Sequence, residues 1–500
     1  LIAVRKRTMD NAPTIPSEVI TPNNPPTGWG ILGDIYSRGW QRTDNTNNFL
    51  SFFATFAYSF KNRYVVNANV RNDASNVFGQ DINHRIDPTY SFGLSWRASE
   101  EAFFQKHLKW ITTLNFRGTF GIQGNALTRE SPELILSQQG VQPGYNRYFS
   151  TIGQIPNPYL SWERTRNWNF GVDLELFRMF YMNLEYYTRR SNAVITVDLP
   201  FEYGIDDMKR NGGIIYNRGI EYTLSFTPIQ KRDFSLNINL NASKNWNKGG
   251  ETKIDRNTAM YLRGGSTQIL KEGYPLSAFW SYSFAGLDGS NGKPMFNYVE
   301  VPDEEKSKSI DPTTYLVYSG ETEPYFTGGL GFSFRYKSLS LNTSFSLLLG
   351  SKKRLPSPYS DFQGSGSMMP DPTKNVNRDL LNRWQKPGDE VYTNIPGLPT
   401  WPIEIGWTLP NTDSAESAIE MWEKSDAMVV SGSFLRCRNI GLSWQMKKEW
   451  CDKIHAKNLA INFNMDNIFV IASKRFNGFD PELENSIMPR SFSLGLNIGF

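Results

Sequence analysis

Hydrophobic and polar residues alternate along much of this chain, and the last ten residues show the pattern most clearly. In residues 491–500 the apolar side chains share one parity, and the other parity holds only Ser, Gly and Asn. The side chains of a strand point alternately to opposite faces, so this segment predicts a strand with one apolar face. Its apolar residues are Phe492, Leu494, Leu496, Ile498 and Phe500. Such a strand is typical of a transmembrane β-barrel, apolar toward lipid and polar toward the lumen.

The same two-residue period recurs in twelve further segments. Phe234, Leu236, Ile238 and Leu240, for example, alternate with Ser and Asn. With about ten residues each, tilted strands of this kind are long enough to cross a bilayer. The thirteen predicted strands contain residues 50–60, 64–70, 90–96, 110–116, 168–176, 180–186, 220–226, 234–240, 330–336, 339–347, 440–446, 459–465 and 492–500.

Short and long connections alternate between these strands. The short ones lie at 61–62, 97–108, 178–179, 228–233, 337–338 and 447–457. The long ones lie at 75–87, 123–163, 199–212, 247–325, 351–431 and 471–489. Outer-membrane barrels have short periplasmic turns and long extracellular loops, so the alternation favours a barrel over a soluble sandwich. A strand-like segment at 274–287 would break the alternation, and we expect it to lie inside the loop 247–325.

The direction of each strand follows if Phe500 ends at the periplasmic face. Counting backward, the strand at 50–60 also runs toward the periplasm. Residues 1–48 are then expected to be an extracellular loop that follows a strand of which Leu1–Val4 is the tail. Residues 49–500 are expected to be the C-terminal portion of the barrel. Because bacterial barrels have an even strand number, the remaining strands would come from another part or another polypeptide.

Bulk composition is compatible with this architecture but does not require it. The hydrophobic fraction is 39%, the mean hydropathy is −0.47, and no apolar run reaches the 18 or so residues of a membrane-spanning helix. Aromatic residues make up 14%, which suits interfacial girdles and also a large soluble all-β protein. A net charge of +4 is too small to indicate nucleic-acid binding. Cys437 and Cys451 lie too far apart along the expected strand to form a disulfide.

Catalytic chemistry has little support in the sequence. His84, His107 and His455 are far apart, and no nucleophile elbow, P-loop or zinc motif is present. We therefore expect no catalytic residues, no cofactor and no enzyme activity. The segment Asp288–Gly292 is faintly similar to a calcium loop, but the terminal Glu is missing. An Asx-type turn is the favoured interpretation, with no metal site.

Aromatic residues in the two longest loops are the candidates for contact with a ligand or with a lid protein. They are Trp280, Tyr282, Trp384, Tyr392, Trp401 and Trp407. Aromatic rings over the mouth of a lumen could stack on sugars or on peptide side chains. The alternative is that they pack the loops against themselves.

Twelve short motifs, in this order, carry a resemblance to a known family from about residue 49 onward. They are YSFKNRY (58–64), RNDAS (71–75), FGLSWR (92–97), GIQGN (121–125), NPYLSWE (157–163), NRGIE (217–221), EGYP (272–275), AGLD (285–288), RWQKPGD (383–389), LRCRNI (435–440), DNIF (466–469) and GFDPE (478–482). Together they resemble the C-terminal half of the SusC/RagA family of TonB-dependent outer-membrane transporters of Bacteroidetes.

The resemblance implies a 22-stranded barrel with a plug domain, of which this chain lacks the plug and about nine strands. It also implies import of oligosaccharides or peptides under a SusD-like lipoprotein lid, driven through TonB, ExbB and ExbD. Further expected partners are lipid or lipopolysaccharide and the barrel-assembly machinery, which would recognise Phe500 and the apolar residues before it. The alternatives are a non-transporting scaffold that anchors surface lipoproteins, and a passive porin.

Overall fold

The computed structural model describes most of the chain. The described residues are 2–9, 42–75, 86–125, 134–142, 145, 147–199, 202, 204–205, 207–252, 259–264, 270–297, 312–359, 373, 375–398, 417–483 and 486–500. The strands are β1 (Ile2–Met9), β2 (Arg42–Phe60), β3 (Tyr64–Ser75), β4 (Ile86–Arg97), β5 (Ile111–Asn125), β6 (Ile135–Gln142), β7 (Arg147–Gln154), β8 (Glu163–Leu176), β9 (Phe180–Asp198), β10 (Asp207–Gln230), β11 (Phe234–Gly249), β12 (Ala278–Tyr282), β13 (Phe284–Leu287), β14 (Pro294–Phe296), β15 (Leu316–Glu321), β16 (Phe326–Tyr336), β17 (Leu339–Leu349), β18 (Lys352–Arg354), β19 (Val429–Ser431), β20 (Phe434–Gln445), β21 (Asn458–Ile471) and β22 (Ser491–Gly499).

The described residues also contain four short α-helices. They are α1 (Ala102–His107), α2 (Ala259–Leu262), α3 (Ala418–Glu423) and α4 (Lys448–Lys453). Across the described part of the chain, no helix has the length and apolar character needed to span a membrane.

Fourteen of the described strands form one antiparallel sheet, and their order in the sheet follows their order in the chain. The sheet order is β1-β2-β3-β4-β5-β8-β9-β10-β11-β16-β17-β20-β21-β22. The remaining eight strands form four two-stranded sheets within the long connections. All thirteen predicted strands are present, and β1 supplies the expected earlier strand. The segment 274–287 lies outside the large sheet, in β12 and β13, as predicted.

Several sheet strands extend further into the long connections than the sequence predicted. β1 continues to Met9 and β2 begins at Arg42, with Ile2 paired to Phe49 and Met9 paired to Arg42. Residues 5–9 and 42–48 were expected to be loop and are instead paired. The reason is that both strand faces are polar here, so the backbone ladder continues without any apolar alternation to reveal it. The predicted loop 123–163 likewise contains the hairpin β6–β7, and β10 begins at Asp207 within the predicted loop 199–212.

The large sheet has one apolar and one polar face, because the period of two is kept in register across neighbouring strands. One row across six strands is wholly apolar: Leu174, Met182, Leu224, Leu240, Leu330 and Phe345. The next row is polar or small: Asp173, Asn183, Thr223, Asn241, Gly329 and Ser346. A slip of one residue in any strand would exchange its faces, so this register is strongly specified.

Six short connections lie at one end of the sheet, which we call the short-turn end. Two of them turn on consecutive left-handed residues, Lys61–Asn62 and Phe177–Arg178. In each, the residue after the turn donates its N–H to the residue before it, Arg63 to Phe60 and Met179 to Leu176 (both 3.0 Å). Two left-handed residues in succession match the right-handed twist of antiparallel strands, which explains these tight turns without glycine.

At the opposite, long-loop end, segments between β11 and β16 and between β17 and β20 pack into what we call the loop subdomain. Its buried core is built from residues of both loops: Leu262, Ala278, Trp280, Tyr282, Phe296, Tyr315, Leu316, Tyr359, Leu380, Ile419, Met421, Trp422 and Met428. Isolated bridges link Gly249 to Glu272 and Glu321 to Ser351, which ties the subdomain to the ends of the sheet strands.

Candidate functional site

The polar face of the sheet carries a network of charged side chains around Arg117 on β5. The Arg117 guanidinium lies 3.1 Å from Asp173 Oδ2 and 2.8 Å from Glu185 Oε1. Asn115 and Asn183 donate to the Asp173 carboxylate at 3.0 and 2.7 Å. Rows of Asn, Ser and Thr continue from this network across β10, β11 and β16. The polar face is therefore a surface of charged and polar side chains, several of which are held in place by hydrogen bonds.

A cavity of 580 Å³ lies between this polar face and the loop subdomain. The ends of β5, β8, β9 and β10 form one wall, and Tyr261, Leu270 and Leu276 of the subdomain form the other. Glu163 is held in place by Asn125 Nδ2 and by the Val194 N–H, each 2.9 Å from a carboxylate oxygen. Hydroxyl, amide and carboxylate groups beside apolar side chains can bind a neutral polar ligand from several sides.

The structure places Trp280 and Tyr282 in the core of the loop subdomain, where each is only 3% exposed. The Trp280 ring packs edge-on against Tyr274 at 4.9 Å, and Tyr282 accepts a hydrogen bond from Arg263 at 3.0 Å. Burial raises the pKa of the neighbouring Tyr318 to about 12. For these two rings, packing within the loop is the arrangement observed.

Trp384 also has a packing role, although its indole is only partly buried. Its ring covers Gly292, whose φ of 72° and lack of a side chain allow this close approach. The Trp384 Nε1 donates to Glu390 Oε2 at 3.0 Å. Hydrogen bonds from the backbone N–H of Glu390 and from Trp384 hold the pKa of the Glu390 carboxyl below its usual range.

The candidate calcium loop beside Trp384 has the geometry of an Asx turn. Asp288 Oδ1 accepts from the Ser290 N–H at 2.8 Å and from the Ser290 hydroxyl at 2.7 Å. These local bonds hold the pKa of the Asp288 carboxyl below its ordinary value. Within the described ranges, no three His, Cys, Asp or Glu side chains are grouped to hold a metal ion.

Among the remaining sequence candidates, Tyr392 is exposed to 89% and lies beside a smaller cavity of 260 Å³. Trp401, Trp407 and His84 lie outside the described residues. Cys437 and Cys451 are both free thiols, and both are buried. The four apolar residues of β22 share one face and are largely exposed, and Phe500, directly after the strand, is exposed to 77%.

An ion cluster that the sequence did not predict joins two of the family motifs. Arg436 of LRCRNI donates from Nη2 to both carboxylate oxygens of Asp480 in GFDPE, at 2.7 Å each. Glu482 Oε2 lies 2.8 Å from the same nitrogen, and Arg438 contacts Glu482 at 3.2 Å. Opposite charges in two separated motifs were the available signal, but spacing alone does not reveal which charges meet.

The fold and polar lumen are those of an outer-membrane β-barrel, and comparisons with known proteins identify its family. Residues 9–347 match the family model described as TonB dependent receptor-like, beta-barrel. The chain belongs to this family, whose members lie in the outer membrane. The apolar face of the sheet therefore faces lipid, and the polar face lines the lumen.

Particular relatives narrow the class to the SusC/RagA type, as the motifs indicated. The chain is 25% identical over 486 residues to the TonB-dependent receptor SusC of Bacteroides thetaiotaomicron, covering 91% of this chain and 44% of SusC. It is 23% identical over 502 residues to TonB-dependent receptor P3 of Formosa agariphila, and the match covers 91% of this chain and 46% of P3.

Among solved structures, that of the RagAB peptide transporter has a similar fold. The TM-score is 0.69 at 21% identity, with 97% of this chain and 50% of that chain covered. The chain thus spans about half the length of the relatives it matches.

Proposed function

We propose that the chain forms the C-terminal part of the barrel of a TonB-dependent importer of oligosaccharides or peptides. The cavity between the loop subdomain and the lumenal wall carries this proposal. It combines an aromatic ring, apolar side chains and hydrogen-bonding hydroxyl, amide and carboxylate groups, which suits the mixed surfaces of sugars and peptides. The long-loop end of the sheet would face the cell exterior.

The remaining parts of such an importer would be supplied by other segments or chains. A plug domain and further strands would close the barrel, and TonB with ExbB and ExbD would supply energy. A SusD-like lipoprotein would cover the long-loop end, where the exposed Tyr392 is a contact candidate. Trp401 and Trp407, outside the described residues, remain candidates from the sequence. The names of two similar proteins, the RagAB peptide transporter and the TonB-dependent receptor SusC, support peptide import and dependence on TonB.

The first prediction concerns the cavity. In the whole transporter, Ala193→Trp would fill part of the 580 Å³ cavity that Ala193 lines. We expect uptake of labelled oligosaccharides or peptides to fall about tenfold or more, because a ligand loses its place between the wall and the subdomain. The measurement is initial uptake by intact cells, with and without an inner-membrane proton gradient.

Thr188→Trp is the matched control, because Thr188 lies on the same strand and on its lipid-facing side. Its uptake should equal that of the unmodified protein. Uptake that persists after the gradient is collapsed would identify a passive porin. No uptake of either ligand class, with lipoproteins still bound, would identify a scaffold. Equal uptake by the Ala193→Trp and Thr188→Trp variants would rule out a ligand role for the cavity.

A further inference from the structure

The lipid-facing side of β8–β11 carries a cluster of basic residues near the long-loop end. We call Arg166, Arg190, Arg218, Lys244 and Lys248 the basic patch, and all five side chains are exposed. Among the strands whose side chains are described, only β8–β11 place basic residues at lipid-facing positions. The patch is therefore a local feature of the barrel wall.

Acidic residues are absent from this face of the four strands. In residues 164–176, 180–192, 214–226 and 234–248, the acidic residues are Asp173, Glu175, Glu185 and Glu221, and all four have the parity of the lumenal face. The lipid-facing parity of the same segments holds no Asp or Glu. The charge of the patch is consequently not balanced by any carboxylate on its own face of these segments.

Two of the patch arginines are direct cross-strand neighbours. Arg166 on β8 pairs with Arg190 on β9, and the same row continues through Tyr216 to Lys248. Like charges directly opposite each other destabilise a sheet. A row of three cations around one tyrosine would be stabilised by an anion that reaches it from outside the protein.

Aromatic rings support the cations of the patch. Arg190 Cζ lies 5.9 Å from the Tyr216 ring centroid, and Arg218 Cζ lies 6.0 Å from that of Trp246. Lys244 Nζ lies 4.9 Å from the same Trp246 ring. A ring contact orients a cation and leaves N–H groups available to oxygen acceptors. The patch thus presents several oriented donors.

The depth of the patch corresponds to the edge of the hydrocarbon layer. Phe180 lies at the short-turn end of β9, and Arg190 lies ten residues further along the same strand. Ten residues span roughly 33 Å along a strand. With a tilt of about 40°, this becomes about 25 Å along the membrane normal, the usual height of the apolar band. The patch therefore lies level with the headgroups of one leaflet.

We infer that the basic patch binds the phosphorylated headgroup of a glycolipid in the outer leaflet. The acyl chains of that lipid would lie along the apolar rows below the patch, against residues such as Phe170 and Ile220. Four strands span roughly 14 Å, which is wide enough for more than one phosphate group. The choice of leaflet rests on the proposed function, because the long-loop end is taken to face the cell exterior.

The test uses the whole transporter with Arg166→Gln, Arg190→Gln and Arg218→Gln combined. The matched control combines Arg189→Gln, which lies on the lumenal side of β9, with Lys231→Gln and Arg232→Gln at the short-turn end. Both variants lose three positive charges. Mass spectrometry counts the phosphorylated glycolipid that co-purifies from the outer membrane. The delipidated proteins in phosphatidylcholine nanodiscs are then titrated with that glycolipid and with its enzymatically dephosphorylated form.

We expect the patch variant to bind the phosphorylated glycolipid roughly 100-fold more weakly, since each basic residue near an anionic surface contributes about fivefold. The control should stay within about twofold of the unmodified protein. Equal affinity of the patch variant and the unmodified protein would overturn the inference. So would equal binding of the dephosphorylated lipid, or co-purification of an anionic phospholipid in place of the glycolipid.

If the triple variant does not reach the heat-modifiable folded form, Arg190→Gln is compared with Arg189→Gln alone. The expected difference is then about fivefold. Lipid binding is measured without any transported substrate. A failure of import would therefore contradict the proposed function and leave this inference intact.

Discussion

Arg436 holds its charge inside the protein, with only 2% of its side chain exposed. Its guanidinium joins strand β20 to the segment between β21 and β22 through Asp480 and Glu482. A buried ion pair of this kind adds little net stability compared with an apolar pair of similar size. Loss of one partner is nevertheless destabilising, because the other charge then remains buried without a counter-charge. The cluster therefore fixes the position of the last long loop.

Replacement of Arg436 should release that loop. We expect Arg436→Met to destabilise the loop by about 3–5 kcal/mol, because Asp480 would remain buried without its counter-charge. The rate of trypsin cleavage at Lys474 and Arg475 reports the opening of the loop. Arg438→Met is the matched control, since its side chain is 47% exposed and its ion pair should contribute less than about 1 kcal/mol. Equal cleavage of the two variants would contradict the expectation.

Glu423 lies at the end of α3 in the loop subdomain, where burial affects the ionisation of its carboxyl. Burial raises the pKa of its carboxyl above the ordinary value, and a hydrogen bond to Ser357 offsets only part of this effect. Because the folded-state pKa is raised, ionised Glu423 opposes folding at neutral pH. This opposition disappears as the pH falls through the folded-state pKa toward the unfolded value of about 4.3.

Glu423→Gln should therefore stabilise the subdomain at neutral pH and reduce its gain in stability on acidification. The measurement is the thermal unfolding of the subdomain, monitored by limited proteolysis at a series of pH values. The expectation fails if the variant keeps the pH dependence of the unmodified protein.

At the scale of elements, β22 combines two roles that its sequence cannot separate. Its apolar residues face lipid, and its last backbone carbonyls are held by Lys457, whose N–H donates to Gly499 at 2.7 Å. The same residues have the pattern expected of a signal for the barrel-assembly machinery. The two roles predict different effects of removing the terminal residue. Loss of a lipid contact should act like loss of any other lipid-facing residue, whereas loss of a recognition signal should impair assembly itself.

Deletion of Phe500 should lower the yield of assembled barrel several-fold if the residue is a recognition signal. Leu459→Ser is the control, because Leu459 pairs with Ile498 on the same lipid-facing surface but lies in β21. Heat-modifiable migration of outer-membrane protein measures the assembled fraction. Equal losses in both variants would show that only lipid contact matters.

At the scale of the whole molecule, the sequence predicted the strands that have lipid on one face and the lumen on the other. Leu240 and Asn241 reveal a strand because lipid and lumen require different side chains at successive positions. Residues 5–9 and 42–48 did not reveal their pairing, because their sequences are almost wholly polar and do not alternate. Trp280 and Trp422 meet in a core assembled from distant segments, and an aromatic residue in a loop gives no sign of whether it will pack or bind.

The order of the large sheet has a consequence for how the molecule folds. Every sheet strand pairs with the nearest sheet strand before and after it in the chain, so no crossover has to be threaded. Strands can be added one hairpin at a time from β22 backward, and no formed pair has to open for the next to join. The long connections raise the contact order most where β11 meets β16 and β17 meets β20, which are the sheet neighbours separated by the most residues. Because the entropic cost of loop closure grows with loop length, we expect these two junctions to be the slowest steps of assembly.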